Sequence, residues 1–174
     1  MEIVVDTETT GFHPGWDELL QVAIINGEGD ILFNEYIKPS RRKKWPEAQR
    51  VHGISPVMVK DCRTFQVYRK RIQEIFNSAN IVIGYNSDFD LGFLRSQGIE
   101  LRDCKYVDVM LDFAPIYGEW SEYLMEYKWQ KLVTCAAYYG YQWEGKAHDA
   151  LSDCKATLYC YRAMGGGDNS SGRT

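Results

Sequence analysis

Four acidic residues and one histidine are the side chains of this sequence best suited to chemistry, and they lie in three segments far apart along the chain. They are Asp6, Glu8, Asp90, His148 and Asp153. Asp6 and Glu8 belong to residues 3–11, which read Ile-Val-Val-Asp-Thr-Glu-Thr-Thr-Gly. Because a strand alternates its side chains between two faces, their i, i+2 spacing points both carboxylates the same way.

Two carboxylates on one face repel each other unless a cation lies between them. Mg²⁺ and Mn²⁺ take carboxylate ligands, and two-metal hydrolysis of a phosphodiester needs several carboxylates that converge from different elements. Ile3, Val4 and Val5 predict a strand buried on both faces, where charged side chains are rare unless they are paired or bound to metal. We therefore predict a divalent-metal site at the end of this strand.

The two later segments also have ordinary structural interpretations. Asp90 could lie in the first turn of a helix, where the helix dipole favours an acidic side chain. His148 could be a loop residue, with Asp149 as the N-cap of the helix that follows. Asp153 lies about 120° around that helix from the centre of its apolar stripe, at roughly 100° per residue. Such a position, at the rim of the buried face, suits a ligand of a metal held on a neighbouring sheet.

Length and composition predict a single domain. The 174 residues are enough to bury on the order of 70% of the unfolded surface. No apolar run approaches the ~20 residues of a membrane span, and the first residues enter a strand pattern directly, so we expect neither a targeting segment nor membrane association. Residues 165–174 are rich in Gly and Ser and are expected to be a disordered tail or linker remnant, which leaves residues 1–164 as the domain.

Cysteine usage and charge limit the function further. The five cysteines are odd in number and are not spaced as zinc ligands, which predicts reduced thiols in the cytoplasm. The net charge of −4 argues against a broad phosphate-binding surface, so any contact with nucleic acid must be local. One dense basic run, Arg-Arg-Lys-Lys at residues 41–44, is either a solvated loop or the border of a substrate groove that contacts phosphates.

The order of elements predicts an α/β fold. Apolar runs predict strands over residues 2–9, 19–25 and 31–37, which form a meander with a hairpin turn at Asn-Gly-Glu-Gly-Asp. Residues 39–60 are a long polar stretch. Further along, the patterns predict strands over residues 81–85 and 105–107. They predict helices over residues 65–79, 89–97, 108–117, 130–139 and 147–164. A meander followed by alternating strands and helices predicts a mixed sheet with helices on its faces.

Together the three segments give the chain a specific resemblance. Over about residues 2–164 it resembles the DEDDh 3′→5′ exonucleases, the family that contains the proofreading subunit of bacterial DNA polymerase III. The matching motifs are Asp-Thr-Glu-Thr-Thr-Gly at 6–11, Asn-Ser-Asp-Phe-Asp at 86–90 and His-Asp-Ala-Leu-Ser-Asp at 148–153. The tyrosine branch of the superfamily would carry Tyr where this chain has Asp149, and Tyr85 replaces the His that often precedes the Asn. The family's fold is ribonuclease H-like, which agrees with the predicted order of elements.

This resemblance implies hydrolysis of the terminal phosphodiester at a 3′ end, with release of 5′-mononucleotides. The residues that would bind two divalent ions, Mg²⁺ or Mn²⁺, are Asp6, Glu8, Asp90 and Asp153. His148 would be the general base, a task that suits histidine near neutral pH.

Six residues are candidates for contact with the substrate: Thr9, Thr10, Gly11, Phe12, His52 and Asn86. The threonine hydroxyls and the backbone N–H groups of their turn could meet a ligand. Phe12 could stack on the terminal base, since stacking suits every base alike, or be an ordinary loop aromatic. His52 belongs to a Val-His-Gly-Ile element at residues 51–54 that resembles a family element near the substrate-binding face.

The expected substrate is a nucleic acid with a free 3′ end, with DNA favoured. RNA stays open because the contacts to the 2′-hydroxyl that separate RNA from DNA are not encoded in these motifs. A catalytically idle nucleic-acid-binding module on the same fold is the alternative from another class. The resemblance also leaves a polymerase, or another repair or replication protein, open as a partner.

Overall fold

The computed structural model describes residues 1–166, and in them a five-stranded mixed sheet is covered by helices on both faces. The strands are β1 (Glu2–Thr9), β2 (Leu19–Asn26), β3 (Ile31–Tyr36), β4 (Ile81–Gly84) and β5 (Lys105–Asp108), in the order β3-β2-β1-β4-β5. The first three pair antiparallel, whereas β1, β4 and β5 run parallel. The predicted meander, alternation and fold class are confirmed.

The helices in this part of the chain are α1 (Pro46–His52), α2 (Pro56–Val59), α3 (Phe65–Ser78), α4 (Ser87–Ser96), α5 (Val109–Tyr117), α6 (Leu132–Tyr138) and α7 (Ala150–Ala163). The sequence predicts the last five, with ends that differ by a few residues. The predicted start of α7 at residue 147 is wrong, because the Asp149 side chain accepts a hydrogen bond from the Ser152 N–H at 3.1 Å and caps the helix. His148 is therefore a loop residue.

Two features are absent from the sequence prediction because they show no apolar period. Within the polar stretch, α1 and α2 pack on β2 through a small cluster of Leu20, Trp45, Ile54 and Val59. Helix α1 buries none of its own residues, and α2 has only four residues. Between α5 and α6, a hairpin of β6 (Trp120–Ser121) and β7 (Glu126–Tyr127) has strands of only two residues each, too few positions for a pattern.

The central strand β1 is buried on both faces, as the sequence predicts. Ile3 and Val5 pack in a cluster with α3 and α4, while Val4 packs in a second cluster with α5, α6 and α7. Because side chains alternate, Asp6 and Glu8 share the face of Val4, which α7 covers. One strand therefore directs its two carboxylates toward the helix that begins after His148.

All five cysteines are free, and three of them are buried. No helix in residues 1–166 is both long enough and apolar enough to cross a membrane. Most of the predicted tail, residues 167–174, lies outside the described part of the chain.

Asp108, at the end of β5, joins the sheet to two helices. Its carboxylate accepts hydrogen bonds from the N–H groups of Met110 at 3.0 Å and Leu111 at 3.3 Å, and so caps α5. It also accepts from the N–H groups of Asn86 at 3.1 Å and Ser87 at 2.7 Å, where α4 begins. Asp108 therefore holds the turn that carries the second motif.

Replacing this carboxylate should destabilise the fold. Asp108→Ala removes a helix cap and leaves two further N–H groups without their partner, so we expect a loss of about 1–3 kcal/mol in the free energy of unfolding. Urea denaturation followed by circular dichroism measures it. Asp112→Ala, which removes an exposed carboxylate on the same helix, should change stability by less than about 0.5 kcal/mol. Equal losses in the two variants would contradict the role given to Asp108.

Candidate active site

Three of the four predicted metal ligands lie together at the end of β1. Asp6, Glu8 and Asp153 each offer one carboxylate oxygen, and these oxygens lie within 4.8 Å of one another. Glu8 is 9% exposed and Asp153 is 8% exposed, so both are withdrawn from bulk water. An all-oxygen set of donors at this spacing fits a hard divalent cation such as Mg²⁺ or Mn²⁺.

Asp90 lies beside these three carboxylates and is oriented by β1. It is 3% exposed in the first turn of α4, and its Oδ1 accepts a hydrogen bond from the Thr7 hydroxyl at 2.6 Å. Its charge is one of those that raise the pKa of Asp6. The sequence does not predict a role for Thr7. Its position between Asp6 and Glu8, on the opposite face of β1, is the feature that could have indicated one.

The cluster concentrates negative charge where water solvates it poorly. Burial raises the pKa of Asp6 well above its usual value, and the neighbouring carboxylates raise it further. Burial, followed by the charges of Asp153 and Asp90, raises the pKa of Glu8 to about 8. Burial also raises the pKa of Asp90 and that of Asp153 to about 7, although hydrogen bonds to both groups oppose the rise. A bound cation would offset this repulsion.

His148 lies directly before α7 and contacts Asp153 through its backbone. Its N–H donates to both carboxylate oxygens of Asp153, at 3.2 Å each. Its φ of 63° lies in the left-handed region, which disfavours residues with a Cβ and is often retained at functional sites. The side chain is exposed and lines the same cavity as Asp153. The imidazole is therefore accessible beside the carboxylates.

Gln21 of β2 holds the start of α7 through contacts that the motifs do not reveal. Its Nε2 donates to Asp149 Oδ2 at 3.2 Å, and its Oε1 accepts from the Ala150 N–H at 3.3 Å. Gln21 is only 2% exposed in an otherwise apolar strand, and a lone buried amide of this kind is the signal that could have indicated its role. The third motif is thus attached to the strand next to β1.

The turn after β1 uses its hydroxyl groups internally. Thr9 Oγ1 donates to the Gly11 carbonyl oxygen at 2.6 Å, and Thr10 Oγ1 accepts from the Glu18 N–H at 2.9 Å. A Cβ at Gly11 would lie 2.5 Å from Asp17 Oδ2, so no larger residue fits without moving that carboxylate. Both hydroxyls therefore have partners within the loop.

His52 also contacts the end of β1. Its Nδ1 accepts a hydrogen bond from the Ile54 N–H at 3.0 Å, which leaves Nε2 to donate to the Thr9 carbonyl oxygen at 3.1 Å. Burial lowers the pKa of His52, and the nearby His148 lowers it further. His52 therefore connects α1 to the first motif as a neutral donor, and it lies near His148.

A cavity of about 670 Å³ opens beside the carboxylate cluster. Its lining includes two candidate substrate residues, two candidate catalytic residues and two aromatic residues to which the sequence analysis gives no role. These are, in that order, Phe12, Asn86, His148, Asp153, Tyr85 and Trp129. Phe12 is 77% exposed, and Asn86 has a left-handed φ of 63° like that of His148. Aromatic rings next to carboxylates suit a ligand that has both a base and a phosphate.

The basic run at residues 41–44 is partly engaged with the loop after β1. The Arg41 guanidinium donates to the Gly15 carbonyl oxygen at 2.8 Å, and that of Arg42 lies 2.9 Å from the Asp17 carboxylate. Their backbone N–H groups donate to the Glu18 carboxylate. From the sequence, this run is interpreted as a solvated loop or as the border of a substrate groove. Neither interpretation includes the observed role, in which Arg41 and Arg42 support the turn of the first motif.

Comparison with known proteins identifies the class. A sequence model of the RNase T exonuclease family matches residues 3–161. The uncharacterized exonuclease CP81 of Escherichia phage 186 is 35% identical over 177 residues, which cover 95% of this chain and 88% of the phage protein. RNA exonuclease 4 of Aspergillus fumigatus is 26% identical over 92% of this chain and 49% of its own length. DNA polymerase III subunit epsilon of Escherichia coli is 28% identical over 97% of this chain and 73% of its own length.

The chain therefore belongs to this exonuclease family, and its class is that of a 3′–5′ exonuclease acting on nucleic acid. A solved structure agrees at the level of fold. Exonuclease X in complex with 5′ overhanging duplex DNA superposes with a TM-score of 0.72 over 100% of this chain and 95% of that chain, at 19% identity. The ribonuclease H-like fold predicted from the sequence is confirmed.

The metal-free protein should lose stability as pH rises through the range in which the clustered carboxyl groups ionise. In the unfolded chain they titrate near pH 4, according to typical values. In the folded protein Glu8, Asp90 and Asp153 hold their protons to about pH 7–8. Between the unfolded and folded pKa values, the folded state therefore binds more protons than the unfolded chain. We expect the free energy of unfolding to fall by about 1–3 kcal/mol from pH 6.5 to 8.5 in EDTA, and saturating Mg²⁺ to abolish most of the fall.

Two variants make this measurement specific. Glu8→Gln removes one ionising group and should flatten the decline of urea-denaturation stability with pH. Asp88→Asn, at an exposed position two residues from Asp90, should retain the decline of the original protein. Starting at pH 6.5 limits the contribution of His52, whose lowered pKa affects stability at more acidic pH. An identical decline in Glu8→Gln would contradict the repulsion described here.

Proposed function

We propose that this protein is a DEDDh-type 3′→5′ exonuclease that hydrolyses the terminal phosphodiester of DNA with two divalent metal ions, Mg²⁺ or Mn²⁺. One observation carries the proposal: Asp6, Glu8 and Asp153 converge within coordinating distance, beside Asp90 and next to an accessible histidine. A catalytically idle binding module would gain nothing from this repelling cluster, which favours the enzyme.

The carboxylates divide between two metal positions. Asp6, Glu8 and Asp153 would hold one ion, and Asp90 would join Asp6 at the other, directly or through water. When bound, the ions would supply Lewis-acid activation of the attacking water and stabilisation of the charge on the departing 3′ oxygen. The protein's own contribution is orientation, since the Thr7 hydroxyl holds Asp90 and the His148 N–H holds Asp153.

His148 would be the general base. Its imidazole accepts the proton that the attacking water loses, while the water oxygen forms the new bond to phosphorus. The bond from phosphorus to the 3′ oxygen breaks, and this oxygen takes up a proton from solvent. The products are a 5′-mononucleotide and a strand one nucleotide shorter with a new 3′-hydroxyl. Because the His148 side chain is exposed, it can pass the proton to bulk water before the next turnover.

DNA is the proposed substrate because one matched protein is a DNA polymerase subunit, and exonuclease X was solved in complex with 5′ overhanging duplex DNA. RNA is the second candidate, favoured by the match to RNA exonuclease 4. The likeness to subunit epsilon supports a polymerase, or another replication or repair protein, as the class of partner.

The activity itself is the first test. A single-stranded DNA labelled at its 5′ end should shorten progressively from the 3′ end with Mg²⁺ or Mn²⁺ and stay intact in EDTA, as followed on a denaturing gel. Matched DNA and RNA oligonucleotides, single- and double-stranded, then rank the substrates by initial rate. Cleavage confined to internal positions, or shortening that continues without divalent metal, would reject the proposal.

Variants separate the base from the ligands. His148→Ala should lower kcat by roughly 10²–10⁴-fold and retain Mn²⁺ affinity, since the imidazole moves a proton and is not a ligand. Asp6→Asn should lose Mn²⁺ affinity as well as activity, and without metal it should be as stable as the original protein or more so. Calorimetric Mn²⁺ titration measures the affinities. His13→Ala, at an exposed histidine outside the motifs, is the control and should keep both properties. Equal loss of Mn²⁺ binding in His148→Ala and Asp6→Asn would contradict the assigned roles.

A further inference from the structure

Trp129 is a feature of the catalytic cavity that the three motifs do not explain. Its side chain is 60% exposed, and it lines the cavity that also contains His148 and Asp153. It reaches that cavity from the segment after β7, a part of the chain separate from all three motifs. An exposed indole next to reacting groups is available to a ligand.

The β6–β7 hairpin and the residues just after it carry several exposed apolar side chains. The large ones are Trp120, Tyr123, Leu124, Met125, Tyr127 and Trp129. Trp129 is the one among these six that lines the cavity. The Trp120 ring instead lies edge-on to Tyr127, with centroids 5.2 Å apart. Trp129 is thus the exposed aromatic side chain of this segment that a ligand in the cavity can reach.

The position of Trp129 is fixed by hydrogen bonds that begin at Tyr85. The Tyr85 hydroxyl donates to the carbonyl oxygen of Gln130 at 2.7 Å. The Gln130 amide donates to the Glu119 carboxylate at 3.1 Å, and Glu119 also pairs with Lys128 at 2.8 Å. Burial raises the pKa of Tyr85, so its hydroxyl remains a neutral donor. The residue that directly precedes the second motif thus holds the backbone next to Trp129.

We propose that Trp129 stacks on the base of the nucleotide at the 3′ end, and that Tyr85 is its positioning residue. The inference rests on the proposed exonuclease function and identifies the group that is recognised, an unpaired terminal base. An indole can stack on any base, so the contact suits a terminal nucleotide of any sequence. Phe12 lines the same cavity from another segment, so two aromatic rings are available to one base.

Truncation of the indole tests the stack. With a 5′-labelled single-stranded DNA, Trp129→Ala should raise KM roughly 5- to 150-fold, the range expected for loss of one base stack, and leave kcat nearly unchanged. Trp129→Phe keeps a ring and should recover most of the affinity. Trp120→Ala is the matched control, because it removes the same residue type from the same hairpin without altering the cavity lining.

Two readouts distinguish stacking from a structural role. On an oligonucleotide whose 3′-terminal nucleotide is abasic, Trp129→Ala and the original protein should have the same KM. With Ca²⁺ in place of Mg²⁺ and no turnover, calorimetric titration with dTMP should show a Kd raised by Trp129→Ala by a factor similar to that for KM.

Tyr85→Phe should raise KM in the same direction by a smaller factor, and combining it with Trp129→Ala should add nothing. Its control is Tyr106→Phe, which removes a hydroxyl that donates to the Arg102 carbonyl oxygen outside this cavity. An equal rise in KM on abasic and intact ends, or an unchanged Kd for dTMP, would overturn the inference while exonuclease activity persists. A wild-type protein that never shortens a 3′ end would contradict the proposed function instead, and dTMP titration would still test Trp129.

Discussion

Repulsion among carboxylates at the end of β1 is the constraint on which the rest of this structure depends. Asp6, Glu8, Asp90 and Asp153 are held close together with limited access to water, and each of their pKa values is raised by burial, by neighbouring charge or by both. A fold that tolerates such a cluster needs rigid support around it. The hydrogen bonds from Thr7 and from the His148 backbone supply part of that support, and a divalent cation would supply the remainder.

The sheet supplies the rigidity because each motif is attached to a different strand. β1 carries the first motif itself, and its alternation directs Asp6 and Glu8 toward α7. Asp108 at the end of β5 holds the turn of the second motif, and Gln21 of β2 holds the start of the third. Polar side chains that are buried or half-buried thus connect three strands to the three motif segments, and no single helix or loop could position the cluster alone.

Chemistry and recognition are separated in this molecule. The groups proposed to hold metal and to move a proton lie on β1, in the first turn of α4 and around the start of α7. The groups proposed to recognise the substrate, Phe12 and Trp129, lie on loops at the rim of the cavity, where a ring can meet a base. Tyr85 links the two regions, since it follows β4 and donates to the segment that carries Trp129. Loops of this kind can vary without disturbing the carboxylates.

The sequence by itself determined the five strands of the main sheet, the five helices from α3 to α7 and the chemical groups, because these depend on short-range patterns. Alternation along β1 and the helical spacing of α3 and α7 are local, and so are the motifs around Asp6, Asp90 and His148. Tertiary structure alone decided which groups meet: the Thr7–Asp90 contact joins residues 83 apart, and the Gln21–Asp149 contact joins residues 128 apart. It also decided that the Thr9 and Thr10 hydroxyls bond within their loop and that Trp129 borders the cavity. A local sequence pattern contains no information on the distance between segments that only the assembled sheet and helices bring together.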